Sequence, residues 1–450
     1  MTGGQRAEGR HQAQSMADPY KWLFKVRLRE RGFGWRGSKT AVARLREAVS
    51  EIKRVARSDA IVAADGVVNL AERLWPALQD IDTSSGELGN AVNRALDELL
   101  PILIAAPGDP ATRHHWLERL YQAVQNDGVQ YLSLIEDHWG EIAVYPELIN
   151  NYADALLPVL RRVWTDEHPG GYVAGTAICL SSLLEVGRFD DLFGVLQEAR
   201  GKFWGWRRFG AEALARQGLW DAAIAYADGC RDTRLAPYDD GRIDRFCEQV
   251  LLRAGRRDQA YRQYGLRTAS GPTYLATYRE TIGRYPDMDR RQVLLDLIEA
   301  RGSRGKWFAA AKSAGYLDIA LDCARSFDAE PATLVRTARD FSRTEPRFAL
   351  EVGLLAMLHL LDDKGFEPDP ALIRHAADHC LAAAAEIGLR DWARSEIERI
   401  SALPHPAGQG TMQRALAAWL AGASAATALG TTDGSAHPNP SRRRTASGRK

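Results

Sequence analysis

Two histidines four residues apart on a helix point their rings the same way, which is the metal-binding half of an HExxH site. His375 and His379 have that spacing, with Cys380 beside the second. Position 376 is Ala where the general base would stand, and no third ligand lies nearby. Surface or half-buried helical histidines are therefore the favoured reading. His114-His115-Trp116 and His138-Trp139-Gly140-Glu141, with Asp137, could gather a metal or an acid–base pair. Nothing in their spacing forces them together, and packing of Trp116 and Trp139 with the histidines at their flanks explains both motifs. Asp239-Asp240-Gly241 with Asp244 looks like a carboxylate cluster, but no Glu fills the twelfth position of a calcium loop, and helix N-capping accounts for an Asp there. The five Cys, at 179, 230, 247, 323 and 380, lie too far apart for a CxxC zinc site and sit within apolar helical patterns as small core residues. Neither GxxxxGK[ST] nor GxSxG occurs. No catalytic, cofactor or metal residue is assigned, and a non-enzymatic role is expected.

Two segments have a composition suited to binding. In Gly201–Gly210, GKFWGWRRFG, the rings of Phe203, Trp204, Trp206 and Phe209 interleave with Lys202, Arg207 and Arg208. Aromatics beside Arg stack on single-stranded bases, but large rings also wedge one helix against another. Trp204, Arg207 and Arg208 are the candidate contacts. Positions 204 and 206 point about 200° apart on a helix, so Trp206 is expected in the core and Trp204 partly exposed. The second segment is a basic head, in which Lys21, Lys25, Arg27, Arg29, Arg31, Arg36 and Lys39 surround Trp22, Phe24, Phe33 and Trp35. Lys21, Lys25 and Arg27 are its candidate contacts, to phosphates, an anionic lipid surface or an acidic partner. Docking on the protein's own acidic body, or plain solvation, is the favoured alternative.

The body that must position these residues has 450 residues, 45% of them apolar and 26% charged. Those values exclude wholesale disorder and allow about three domains' worth of core. The net charge of +1 lacks the signature of a nucleic-acid binder, but it is unevenly spread. Residues 1–60 carry +8, residues 431–450 carry +4 and the remainder carries −11. The tail, TTDGSAHPNPSRRRTASGRK, has almost nothing to bury and reads as disordered. Residues 1–15 read as an over-extended start or a tag scar, with ordered character beginning near Met16. No apolar h-region precedes it, and the longest uncharged stretch, Ala415 to Gly430, is too short and too rich in small residues to span a bilayer. A cytoplasmic protein that does not enter a membrane is expected.

Helical periodicity dominates. Val42, Leu45, Val49, Ile52 and Val55 line one face, and Leu88, Ala91, Val92, Ala95, Leu96, Leu99, Leu100 and Leu103 line another. Ser84 and Glu87 have the spacing of a capping box opening the second of these helices. Asp109-Pro110 and Asp369-Pro370 each predict an N-cap followed by a first-turn Pro. Only Val129–Ile135 reads as a possible strand, so the fold class is all-α.

From about residue 172 the helices recur in pairs. Gly187, Gly218, Gly255, Gly283, Gly315, Thr344 and Gly388 punctuate them at steps of 28 to 44 residues. Five positions after each stand Leu192, Ala223, Ala260, Met288, Ala320, Ala349 and Ala393. Gly permits the tight helix end and Ala the close approach of the second helix. The segment Trp206 to Ala227, WRRFGAEALARQGLWDAAIAYA, resembles a tetratricopeptide repeat, with weaker copies ending at Ala199, Ala260, Ala324 and Ile397. The resemblance covers residues 172–402 and implies an α-solenoid, with wandering spacing and most repeat-closing Pro residues missing. GWRGSKTAVARLREA and DTSSGELGNAVNRALDELLPIL resemble part of a bacterial family to which no activity is attached. The expected organisation is a disordered 1–17, a helical domain with the basic head over 18–168, a helix-turn-helix repeat solenoid over 169–402, a C-terminal helix over 403–424 and a disordered basic tail over 425–450. The expected function is a scaffold that binds a protein or peptide along a groove, since stacked hairpins create concave surfaces. A nucleic-acid-associated protein using the head and tail is the alternative.

Overall fold

The computed structural model describes residues 20–165, 173–199, 201–231, 236–362, 364, 369–404 and 410–430, with side chains for all of these except 236–239 and 423–430. Residues 1–19 and 431–450 lie outside the described residues, and so do the expectations placed on them, but the last helix runs Thr411–Gly430 and not over 403–424, so 425–430 are helical where a disordered tail is expected. All described regular structure is helical, which establishes the all-α class. The possible strand at Val129–Ile135 is instead a turn, with Gln130 at φ +61°, followed by the short helix Ser133–Asp137. No helix among the described residues is long and apolar enough to cross a membrane.

The helices gather into two compact units that divide between Gly255 and Arg256. In the first, both predicted apolar stripes are buried, on the helices Ser38–Ala56 and Glu87–Ala105. Asp109 caps as expected, its carboxylate accepting from the Thr112 amide at 2.8 Å. The capping box at Ser84 does not form. Its amide is drawn into a turn on the Asp82 carboxylate at 2.9 Å, and Gly86, at φ +68°, becomes the N-cap two residues later. In the second unit, Asp369 caps the helix Pro370–Glu386 through the Ala371 amide at 2.8 Å.

One turn recurs. At Gly187, Gly218, Gly315 and Gly388, φ lies between +69° and +86°. The following residue's N–H reaches back five positions, as Arg188 to Leu183 and Leu219 to Leu214, while the glycine's own N–H reaches back three. This is the Schellman closure, which satisfies the orphan carbonyls of the ending helix. The residue after the glycine then starts the next helix by accepting from Leu192, Ala223, Ala320 or Ala393, each fully buried. Gly283 departs from the series. It is an exposed residue inside the helix Tyr274–Arg284, and the chain turns only afterwards. The next helix is started by Asp289, whose carboxylate accepts from the Gln292 amide at 2.7 Å, leaving Met288 in the loop.

Candidate functional site

The basic head is held to the body. Trp22, Phe24, Leu28 and Phe33 are buried, and the Glu51 carboxylate accepts from the Leu23 and Phe24 amides at 2.9 and 3.2 Å. Gly66 makes room for the Trp22 ring, which lies where a Cβ would stand. Arg27 pairs with Glu47 at 2.5 Å, Lys21 is exposed and Lys25 is half-buried. The head is packed through Trp22, Phe24, Leu28 and Phe33 and keeps part of its positive charge in solvent.

The histidine motifs do not converge. His114 pairs with Glu118 at 3.3 Å and His138 with Glu141 at 3.0 Å, each within its own stretch of chain. That bond raises the His138 pKa and lowers that of Glu141. Trp139 is fully buried, edge-on to Tyr152 at 4.9 Å, and Trp116 is buried as well. His375 is exposed and stacks on half-buried His379 with ring centres 6.4 Å apart. Asp240 and Asp244 are both engaged by Arg231, at 3.4 and 2.7 Å; the Asp239 side chain lies outside the described ones. No cluster of ligands suited to a metal occurs among the described residues. The five Cys are buried and form no disulfide, and burial pushes Cys179 up to about 12 and Cys323 up to about 11 and raises Cys230 and Cys380, which disfavours the nucleophilic thiolate at these four positions.

The segment 201–210 is where structure gathers. Its helix is Trp204–Arg216, and the expected roles of the two tryptophans are reversed. Trp204 is 2% exposed and packs edge-on against Phe246 at 5.4 Å. Its ring is thus not offered to a ligand. Trp206 is half-buried, tilted against Trp164 with ring centres 4.9 Å apart and meeting Phe203 nearly at right angles at 5.2 Å. The helix starts one residue after Phe203, so Trp204 already points inward. Arg207 is occupied by carbonyls, of Ala199 at 2.7 Å and Gly201 at 3.2 Å. Arg208 pairs with Asp137, donates to the Gly205 carbonyl at 3.1 Å and lies 4.3 Å over the Phe209 ring.

Beside these residues opens a cleft of about 340 Å³. Phe203 and Trp206 form an apolar wall, Arg208 and Asp137 a paired polar edge, and Glu136 joins them from the short helix Ser133–Asp137. Gly205 shapes the wall. A Cβ there would overlap the Phe203 ring, which folds back over the first turn of the helix. The Ser133–Asp137 helix is continued by Trp139–Ala143, anchored where the Gly140 amide donates to Ser181 Oγ at 3.1 Å. Glu136 accepts no hydrogen bond and pairs with no cation among the described residues. Burial, with the charges of Asp137 and Asp127 adding to it, lifts its carboxyl to about 7. Burial also raises Asp137, against the pull of Arg208. A wider recess of about 430 Å³ lies along Trp75 and Arg119, but its cation is fully satisfied by Glu72 at 2.7 Å and Asp65 at 2.6 Å.

Sequence reasoning missed Glu136, because an Asp-Glu neighbour pair is common and only packing reveals that one carboxylate lacks a partner. It also missed Arg113. This guanidinium, 1% exposed, donates to the carbonyls of Leu103, Ile104 and Ala106 at the end of the helix Glu87–Ala105 and to Ile142 at 2.9 Å. It is a structural cap that ties two segments together. Comparison with protein-family models, with curated proteins and with solved structures returns no match.

Proposed function

We propose that the protein is a helical-hairpin scaffold that binds a peptide segment of a partner, using the cleft beside Phe203 and Trp206 as its principal recess. The observation that carries this is the cleft itself, an open recess with an aromatic wall and a carboxylate that has no partner among the described residues. Concave sites with apolar lining and a few polar groups are the usual places for recognition. The repeated Schellman turn at Gly187, Gly218, Gly315 and Gly388 supports reading the hairpins as tetratricopeptide-like repeats of an α-solenoid. Base stacking at 201–210 has less support. Trp204 is buried, and Arg207 and Arg208 already spend their donors on carbonyls and a carboxylate.

The test is selection from a displayed peptide library against the full chain. A recurring motif is expected among the binders, and its affinity should fall at least tenfold in Phe203→Ser. No enrichment, or binders indifferent to that substitution, would argue for a different role.

A further inference from the structure

We infer that the cleft receives a basic side chain, lysine above all, with its ammonium against Glu136 and its methylenes along Phe203 and Trp206. This rests on the peptide-scaffold reading and specifies the chemistry of its recess. The charged groups that line the cleft differ in what they lack. Arg208 is already neutralised by Asp137 and anchored on the Gly205 carbonyl, and Arg242, which also lines the cleft, acts on Asp137 as well. Glu136 makes no hydrogen bond or ion pair among the described residues, and the charges of Asp137 and Asp127 add to the cost of its burial. A half-buried carboxylate without a partner is costly, and a cation that brings both charge and donors relieves that cost. The wall suits the same ligand. Phe203 is 41% exposed, and its ring meets Trp206 at 83°, leaving aromatic surface open toward the cleft. Cations are attracted to aromatic faces, and a lysine stem lies readily along apolar surface while its head seeks a charge.

The assignment fixes a pH dependence. The lysine ammonium stays charged throughout the neutral range, so the variable partner is Glu136. The groups around it are Asp137 and Asp127, with Arg208, Arg242 and the His138–Glu141 pair beyond them. The cation needs Glu136 ionised. Affinity should therefore rise as pH increases through about 7 and level off above it.

The experiment titrates the full chain with N-acetyl-lysine methylamide, N-acetyl-norleucine methylamide and N-acetyl-aspartate methylamide, following the Trp206 indole by NMR. Saturable shifts with the lysine probe are expected, with norleucine and aspartate binding at least tenfold more weakly. The lysine affinity should drop about tenfold between pH 8 and pH 6. Glu136→Gln should bring lysine down to the norleucine level and abolish the pH dependence. Gly205→Ala, which displaces the Phe203 ring without touching a charge, should weaken lysine severalfold at every pH. Equal binding of norleucine, preference for aspartate, no shift at Trp206 or a pH-independent affinity would each overturn the assignment. A library-selected peptide that enters the cleft through a non-basic side chain overturns it too, while leaving the scaffold reading in place. Failure of every peptide to engage the cleft ends both.

Discussion

Among single side chains, Glu136 is a half-buried carboxylate with no hydrogen bond or ion pair among the described residues. Glu136 holds its proton up to about 7, above the usual carboxyl range. The folded state therefore binds more protons than the unfolded chain between roughly pH 4.5 and 7, and stability falls as pH rises through that window. Above it the penalty is constant; below it the penalty is gone. Glu136→Gln should accordingly stabilise the protein by about 1–2 kcal/mol at pH 8, with the gain fading below pH 5. Urea denaturation at the two pH values measures this, and a variant less stable than its parent at pH 8 would show that the ionised carboxylate has a partner. Arg113 represents the opposite case. It carries four carbonyls at once, so Arg113→Ala should cost about 3 kcal/mol or more in chemical denaturation. A loss under 1 kcal/mol would mean that water replaces the guanidinium at little cost. Neither residue was legible in the sequence, since both depend on which distant carbonyls and carboxylates packing brings near.

At the scale of helices and turns, the sequence was informative wherever a local rule decides the outcome. The stripes on Ser38–Ala56 and Glu87–Ala105, and the Asp-Pro starts at 109 and 369, follow from periodicity and capping alone. Legibility fails where two local signals compete. Gly86 takes the N-cap from Ser84 because it adopts a left-handed φ that Ser avoids, and Asp289 sets a helix start that Gly283 had suggested earlier. Trp204 and Trp206 were misplaced because their spacing fixes only that the two rings point about 200° apart, while packing decides which of them faces the core. The hairpins themselves make a direct prediction. Ala223 and Ala320 are fully buried four residues past the residue that starts each second helix. Ala223→Leu and Ala320→Leu should each cost about 1–3 kcal/mol through overpacking, and Gly218→Ala about 1–2 kcal/mol through its left-handed backbone. Thermal melts would check the set; parent-like Tm values for both Ala variants would place those positions outside the close helix contact.

The described residues form helices in two compact units, and the chain carries net positive charge at both ends and net negative charge between them. Residues 1–15 and 431–450 have little apolar surface to contribute, so removing them should change stability by less than about 1 kcal/mol. A large fall in Tm on deletion would show that an end is part of the fold. Architecture was the more readable half of this protein, because helical periodicity is a property of consecutive residues. The cleft was not readable, because Glu136, Phe203 and Arg208 meet only when separate helices pack. Its role is tested most directly by placing a photoreactive benzoyl-phenylalanine at Phe203 in the full chain and irradiating it with a library-selected peptide. Trp35, 67% exposed on the head, serves as the control position. Crosslinking at 203 well above that at 35, and competed away by unlabelled peptide, is the expected result; equal yields at the two positions, or no competition, would contradict a peptide site in the cleft.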